Sequence, residues 1–190
     1  MTRTGAAALV AALFLLSAGP AGGEAPPPEP PGYRMDAYRA PVPATLAGAR
    51  VVSTAEAHRL WQEKGAVFID VLPRPPKPDL PAGTVWREQP RFGIPGSIWL
   101  PDVGYGALSP EMERYYRENL ARATSGDPGR TIVIYCLAEC WMSWNAARRA
   151  LEWGYGDVVW YPDGTDGWSF EGHPTEEYAP VPRPGEAVSR

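Results

Sequence analysis

The chain is poor in the residues that build metal and haem centres. It holds two cysteines and two histidines among 190 residues. Two thiols need further ligands to close a metal site, and the only imidazoles are His58 and His173, so no metal centre is expected. No CxxCH run occurs, which argues against covalently attached haem, and no cofactor is expected. Positive charge is not in excess either. The formal net charge is −4, so a nucleic-acid partner held by bulk electrostatics is excluded. There is no internal repeat, and beyond the N-terminus no apolar segment is long enough to cross a bilayer. What is abundant is proline, glycine and tryptophan, with 23, 20 and 8 residues. The prolines and glycines cluster outside the periodic segments.

The N-terminus reads as an export signal over residues 1–23. Arg3 supplies the positive start, Ala6 to Ser17 is apolar but too short to span a membrane, and small residues run from Ala18 to Gly23. Residues 24–49 form a Pro-rich extension, a spacer whose second half Tyr33, Tyr38 and Leu46 pin to the fold. A single domain over 50–180 follows, then a polar tail over 181–190 that should fray. Export places the two cysteines in an oxidising compartment, where a pair can form a disulfide.

Within the domain, Arg50 to Val52 is a first short strand. Ser53 caps a helix, with Glu56 completing a capping box and Gly65 ending it. Ala66 to Val71 is nearly continuous in apolar residues, as a strand covered on both faces should be, and Asp70 interrupts it at the carboxyl end. Leu72 to Gly96 is irregular and carries seven prolines, and a loop of that length is usually functional or disordered. Ser97 to Leu100 is another short strand. Ser109 and Pro110 start a helix that runs to about Ala121. Thr131 to Tyr135 is a buried strand leading into an Ala-, Arg- and Leu-rich helix that Gly154 ends. Asp157 to Tyr161 is a last strand, Pro162 to Trp168 a turn-rich loop, and the stretch to Tyr178 carries a short helix.

Strands alternating with helices predict an α/β domain with a central, mostly parallel sheet and helices on both faces. Ligands in such folds bind beyond the carboxyl ends of the strands. Asp70, Cys136 and the Pro162–Trp168 loop all lie at such ends and should meet at one rim. Both cysteines, Cys136 and Cys140, fall between the central strand and its helix. A helix N-terminus stabilises thiolate over thiol, which makes Cys136 a candidate nucleophile. The other reading is a buried or disulfide-bonded cysteine without chemistry. Cys140 either resolves an oxidised Cys136 or packs as a small apolar side chain.

In their order and spacing, AVFIDV with Asp70, GIPGSIWLP, IVIYC ending in Cys136, Gly154-Tyr155 before a strand, and GTDGW resemble a rhodanese domain. More narrowly, YCLAECWMSWNAARRA and WYPDGTDGW resemble the exported PQQ-dependent catabolism-associated CXXCW motif proteins. Here three residues separate the cysteines, so the motif is Cys-x-x-x-Cys-Trp. The resemblance implies a periplasmic protein linked to alcohol oxidation by quinoprotein dehydrogenases, with that system or its electron-transfer or transport components as partner. It implies that Cys136 takes up a sulfane sulfur as a persulfide and passes it on. The family loop usually carries an arginine, whereas this one has no basic residue before Arg148. Glu139 should oppose an anionic donor and raise a neighbouring thiol pKa. The scaffold is therefore expected without the usual donor specificity. Sulfane-sulfur transfer and dithiol–disulfide exchange both remain open, as does a non-catalytic binding module stapled by a Cys136–Cys140 disulfide. Leu137, Ala138 and Glu139 form the loop that should meet a substrate, and Trp141 and Met142 an apolar mouth. Asp70 accepts hydrogen bonds from the loop. Asp163 and Asp166 shape turns or touch a ligand.

Overall fold

The computed structural model describes residues 25–76, 78–85, 87 and 89–186. The export signal, and the last four residues of the tail, lie outside the described residues. Five strands form one parallel sheet: β1 (Arg50–Val51), β2 (Val67–Asp70), β4 (Ile98–Trp99), β5 (Ile132–Tyr135) and β6 (Val158–Tyr161). Their spatial order is β1-β6-β5-β2-β4, with β5 at the centre. A separate antiparallel pair joins β3 (Phe92–Gly93) to β7 (Glu176–Glu177).

Side chains alternate across the sheet with the two-residue period of a strand. Ile69, Ile132, Ile134, Val158 and Trp160 enter one core, and Phe68, Val133, Tyr135, Val159 and Tyr161 the other. Helices α2 (Pro110–Ala123) and α3 (Trp141–Glu152) cover the first face through Tyr116, Leu120, Trp144, Ala146 and Ala150. Helices α1 (Thr54–Glu63) and α4 (Gly164–Phe170) cover the second through Ala57 and Trp168. The expected α/β architecture with helices on both faces is therefore the one observed.

Local signals explain most helix starts. Ser53 and Glu56 form the reciprocal capping box of α1, and Ser109 caps α2 with Pro110 at its first position. Three local expectations are corrected. Helix α1 ends one residue early, because Lys64 itself takes the left-handed conformation (φ 53°) and its N–H bonds the Trp61 carbonyl. The Pro162–Trp168 loop contains α4, since Gly164 turns at φ 53° and Thr165 and Trp168 are buried. The stretch before Tyr178 forms β7 instead of a helix, because it pairs with β3 from the long irregular loop. Among the described residues no helix is long and apolar enough to cross a membrane.

Candidate functional site

Cys136 directly follows β5, while Cys140 is the residue at which α3 begins, with φ −116° and ψ 106°. The helix-terminus argument made for Cys136 therefore applies to Cys140. Glu139 adopts the left-handed conformation (φ 50°), which folds the three intervening residues into a tight turn. Both cysteines are free and buried, at 0% and 2% exposure. Both side chains belong to the same buried core cluster, together with Ile134, Leu100 and Trp160.

This arrangement divides the two thiols. The Cys136 side chain beside it, then the backbone at Met142 and Leu137 and the Arg39 charge, lower the Cys140 pKa to about 7 against the effect of burial. Burial, then the nearby Cys140, pushes the Cys136 thiol well up. The Glu139 side chain is exposed and lines an outer crevice of about 690 Å³ with Pro26, Pro27, Pro41 and Val42.

Helix α4 locks the loop from the side. The Thr165 N–H donates to the Cys136 carbonyl at 3.0 Å, and the Asp166 carboxylate accepts the Ala138 N–H at 3.0 Å. A Cβ on Gly164 would lie 2.4 Å from the Cys136 oxygen, so only glycine permits this approach. Asp166 is thus a loop-positioning group. Asp163 is not at the thiols but accepts a hydrogen bond from Thr54, which in turn accepts one from Tyr161.

Asp70 is fully buried at the end of β2. It accepts the Leu72 N–H on one oxygen (2.9 Å), and the Arg91 Nε–H and Tyr178 hydroxyl on the other (both 2.7 Å). A buried carboxylate demands such partners. Arg91 reaches on to the Thr165 hydroxyl at 3.2 Å, and so links the β2 end to the α4 residue that holds the Cys136 carbonyl. Burial opposes the Arg91 charge, but Asp70 more than offsets it and raises the arginine pKa. Burial and then Asp70 raise the Tyr178 pKa far above its ordinary value. Asp70, the dithiol loop and α4 thus meet at one rim, connected by a residue from the long irregular loop.

The N-terminal extension covers the other side. Arg39 forms an antiparallel bridge with Cys140: the Trp141 N–H donates to the Tyr38 carbonyl (2.9 Å) and the Ala40 N–H to the Glu139 carbonyl (3.2 Å). The segment then follows α3 backwards, with Trp141, Trp144, Asn145 and Arg148 donating to the carbonyls of Pro41, Thr45, Arg34 and Pro30–Gly32. The extension is therefore a strap along α3 from Pro30 to Thr45, so the end of the proline run read as a spacer is also held to the fold. At the other end of the chain, Val181 bonds Trp99 and Arg183 pairs with Asp102 and Glu186, so the tail is anchored as far as Glu186.

The apolar mouth expected from Trp141 and Met142 is not formed. Trp141 lies beneath the strap with the Arg34 guanidinium 5.3 Å above its ring. Met142 is buried against Gly104, where a Cβ would lie 2.3 Å from the Met142 carbonyl oxygen. Leu137 and Ala138 are partly exposed and Glu139 is exposed, so the loop crest alone reaches the surface. His173 stacks on His58 at 3.9 Å, beside Trp168 in the α1–α4 layer. Arg91, Thr165 and the Tyr38–Ala40 bridge escape sequence reasoning. The one available signal for Arg91 was Asp70 itself, an acid in a buried strand that requires a cation or several donors.

Known proteins place this geometry in a family. The rhodanese-like domain family matches residues 53–171, which include every element from the α1 cap to the end of α4. Similar solved structures include an uncharacterised protein from Saccharomyces cerevisiae (20% identity, 65% of this chain and 93% of that one, TM-score 0.39). A polysulfide-sulfur transferase homodimer from Wolinella succinogenes is also similar (18%, 68% and 80%, 0.44). So is a thiosulfate sulfurtransferase from Pseudomonas aeruginosa (19%, 74% and 22%, 0.48). No curated protein sequence matches the chain. Because the family match spans more than half of the sequence, this chain belongs to the rhodanese-like domain family.

Proposed function

We propose that this protein performs thiol chemistry at the Cys136–Cys140 pair, with dithiol–disulfide exchange as the principal reaction. The observation that carries the reading is a pair of free cysteines within one strand-to-helix loop, clamped by Thr165 and Asp166 of α4. Neighbouring thiols of unequal acidity suit exchange, in which one attacks a disulfide and the other releases the mixed disulfide. We place the protein in the periplasm, in keeping with the export signal over residues 1–23. The likeness of YCLAECWMSWNAARRA and WYPDGTDGW to the CXXCW motif proteins links it to PQQ-dependent alcohol oxidation. Its partner is then a component of a quinoprotein dehydrogenase system.

A second reading is sulfane-sulfur transfer through a cysteine persulfide, favoured by membership in the rhodanese-like family. The donor S–S bond breaks as the cysteine S–S bond forms, and the sulfur then leaves with an acceptor nucleophile. The test is intact mass of the folded protein after alkylation, following equilibration with glutathione buffers or with thiosulfate. Dithiol exchange predicts two alkyl groups in reducing buffer, and loss of two hydrogens with no alkylation in oxidising buffer. One added sulfur after thiosulfate supports transfer instead. A Cys136–Cys140 disulfide that persists in reducing buffer, or thiols that stay unmodified under every condition, overturn both and leave a non-catalytic binding module, stapled in the first case.

A further inference from the structure

Thiol chemistry requires a reagent to reach sulfur, yet both cysteines are buried and the strap pairs with one of them. Arg39 stands directly opposite Cys140 in a pair flanked by hydrogen bonds, the antiparallel arrangement that brings facing side chains closest. The Arg39 side chain therefore shares a face with the thiol, and its guanidinium lies 4.0 Å from the Asp166 carboxylate of α4. Tyr38, Ala40 and Val42 pack against the core cluster that holds both cysteines. On either side of this segment the chain is anchored to α3. Arg34 exchanges two hydrogen bonds of 2.9 Å with the Asn145 side chain, and the Pro41 carbonyl accepts the Trp141 indole N–H at 3.1 Å.

Between those anchors, residues 35–40 are held lightly. Two backbone bonds tie them to the loop: the Trp141 N–H donates to Tyr38 and the Ala40 N–H to Glu139. The Tyr38 hydroxyl donates to the Met35 carbonyl and accepts the Gly106 N–H, and its ring meets Tyr105 edge-on at 5.3 Å. The Arg39–Asp166 pair is exposed on both sides and adds little. Ala37 takes the left-handed conformation (φ 43°), which is strained for a residue with a Cβ and is relieved when the segment lifts. The sheet residues Ile134 and Trp160 and helix α3 enclose the rest of the pair within close-packed core, which cannot part without disrupting the fold. We propose, on the basis of the dithiol reading above, that residues 35–40 form a lid that pivots between Arg34 and Pro41 and must lift before Cys140 can react. The closed lid keeps the dithiol from reagents in solvent, and a local opening equilibrium sets its reactivity.

The experiment compares thiol reactivity with amide exchange in the reduced, folded chain. The Trp141 N–H is bonded to the lid, so its hydrogen exchange reports opening. Alkylation of Cys140 by iodoacetamide is followed by peptide mapping. Ala40→Pro removes the donor to Glu139 and should speed exchange and alkylation alike, by about fivefold. Tyr38→Ala removes the ring and hydroxyl contacts and should speed both by about tenfold. In wild type, alkylation should change little in urea below the unfolding transition, because the lid exposes few residues. A variant that speeds Trp141 exchange but not alkylation overturns the lid. So does a wild-type rate that rises with urea as steeply as global unfolding, a test that stands even where circular dichroism shows a variant to be misfolded. Oxidised glutathione separates the lid from the reading on which it rests. A Tyr38→Ala chain that alkylates quickly but forms no disulfide overturns the dithiol reading and leaves the lid. Disulfide formation at a rate that neither variant changes overturns the lid and leaves the dithiol reading.

Discussion

Strands β2 and β5 pair side by side, with Asp70 opposite Tyr135, yet their carboxyl ends are furnished in opposite ways. At the end of β2, a buried charge is surrounded by fixed donors: Arg91, Tyr178 and the Leu72 amide. At the end of β5, two free thiols are buried together in one apolar cluster. The difference follows from chemistry. A carboxylate taken out of water costs several kcal/mol unless paired, so its surroundings must be saturated and rigid. A thiol is a small, weakly polar group that tolerates burial in the neutral form, so it can stay chemically available. The first end is built to hold the rim, the second to react on it.

The largest expected effect breaks the rigid end. Arg91→Ala leaves Asp70 buried without its cation and should cost about 3–5 kcal/mol, measured by urea denaturation. Arg91→Lys should recover only part of this, because a lysine cannot bond Asp70 and Thr165 with the same planar fork. Loss below about 1 kcal/mol for Arg91→Ala would show that the pair is not the structural hub of the rim.

Gly164→Ala attacks the junction between the two ends. The added Cβ meets the Cys136 carbonyl while the backbone is held at φ 53°. The expected cost is about 1–3 kcal/mol. The same change should raise the alkylation rate of the loop cysteines, because α4 no longer clamps them. Unchanged stability and alkylation together would mean that α4 does not lock the loop.

A milder perturbation is protonation. The Cys136 side chain and the nearby backbone lower the Cys140 pKa to about 7, so its thiolate fraction falls as the pH drops through that value. Alkylation of Cys140 should therefore slow by about tenfold per pH unit below the midpoint and level off above it. A midpoint near the ordinary cysteine value of about 8.5 would remove the inequality between the thiols. The smallest effect serves as a control far from the rim. Ser53→Ala removes the α1 cap, should cost about 1 kcal/mol, and should leave thiol reactivity unchanged.

Much of the scaffold was legible because its signals are local. The nearly continuous apolar run of Ala66–Val71 marked a strand covered on both faces, and Ser53 with Glu56 marked a helix start. Leu46, Tyr33 and Tyr38 were expected to hold the extension, and all three do so: Leu46 enters the core, Tyr33 bonds Glu152, and the Tyr38 carbonyl accepts the Trp141 amide. The site was legible only in part. Cys136, Cys140, Asp70 and Asp166 belong to the connected rim, whereas Trp141 and Met142 are covered and Asp163 serves α4 and α1.

Residue order and type alone determined that an α/β domain would carry two cysteines between its central strand and the following helix. Periodicity, caps and β-branched runs act over a few neighbours, and no distant contact is needed to read them. Tertiary structure alone decided which thiol stands at the helix start, that Arg91 reaches Asp70, and that residues 30–45 lie along α3. Each of these joins groups that are remote in sequence or depends on a boundary shift of one turn. Arg91 and Asp70 are 21 positions apart, and Pro41 and Trp141 are 100 apart. Such contacts are selected by the burial of unpaired polar groups, a demand that arises only when the whole chain has closed over them.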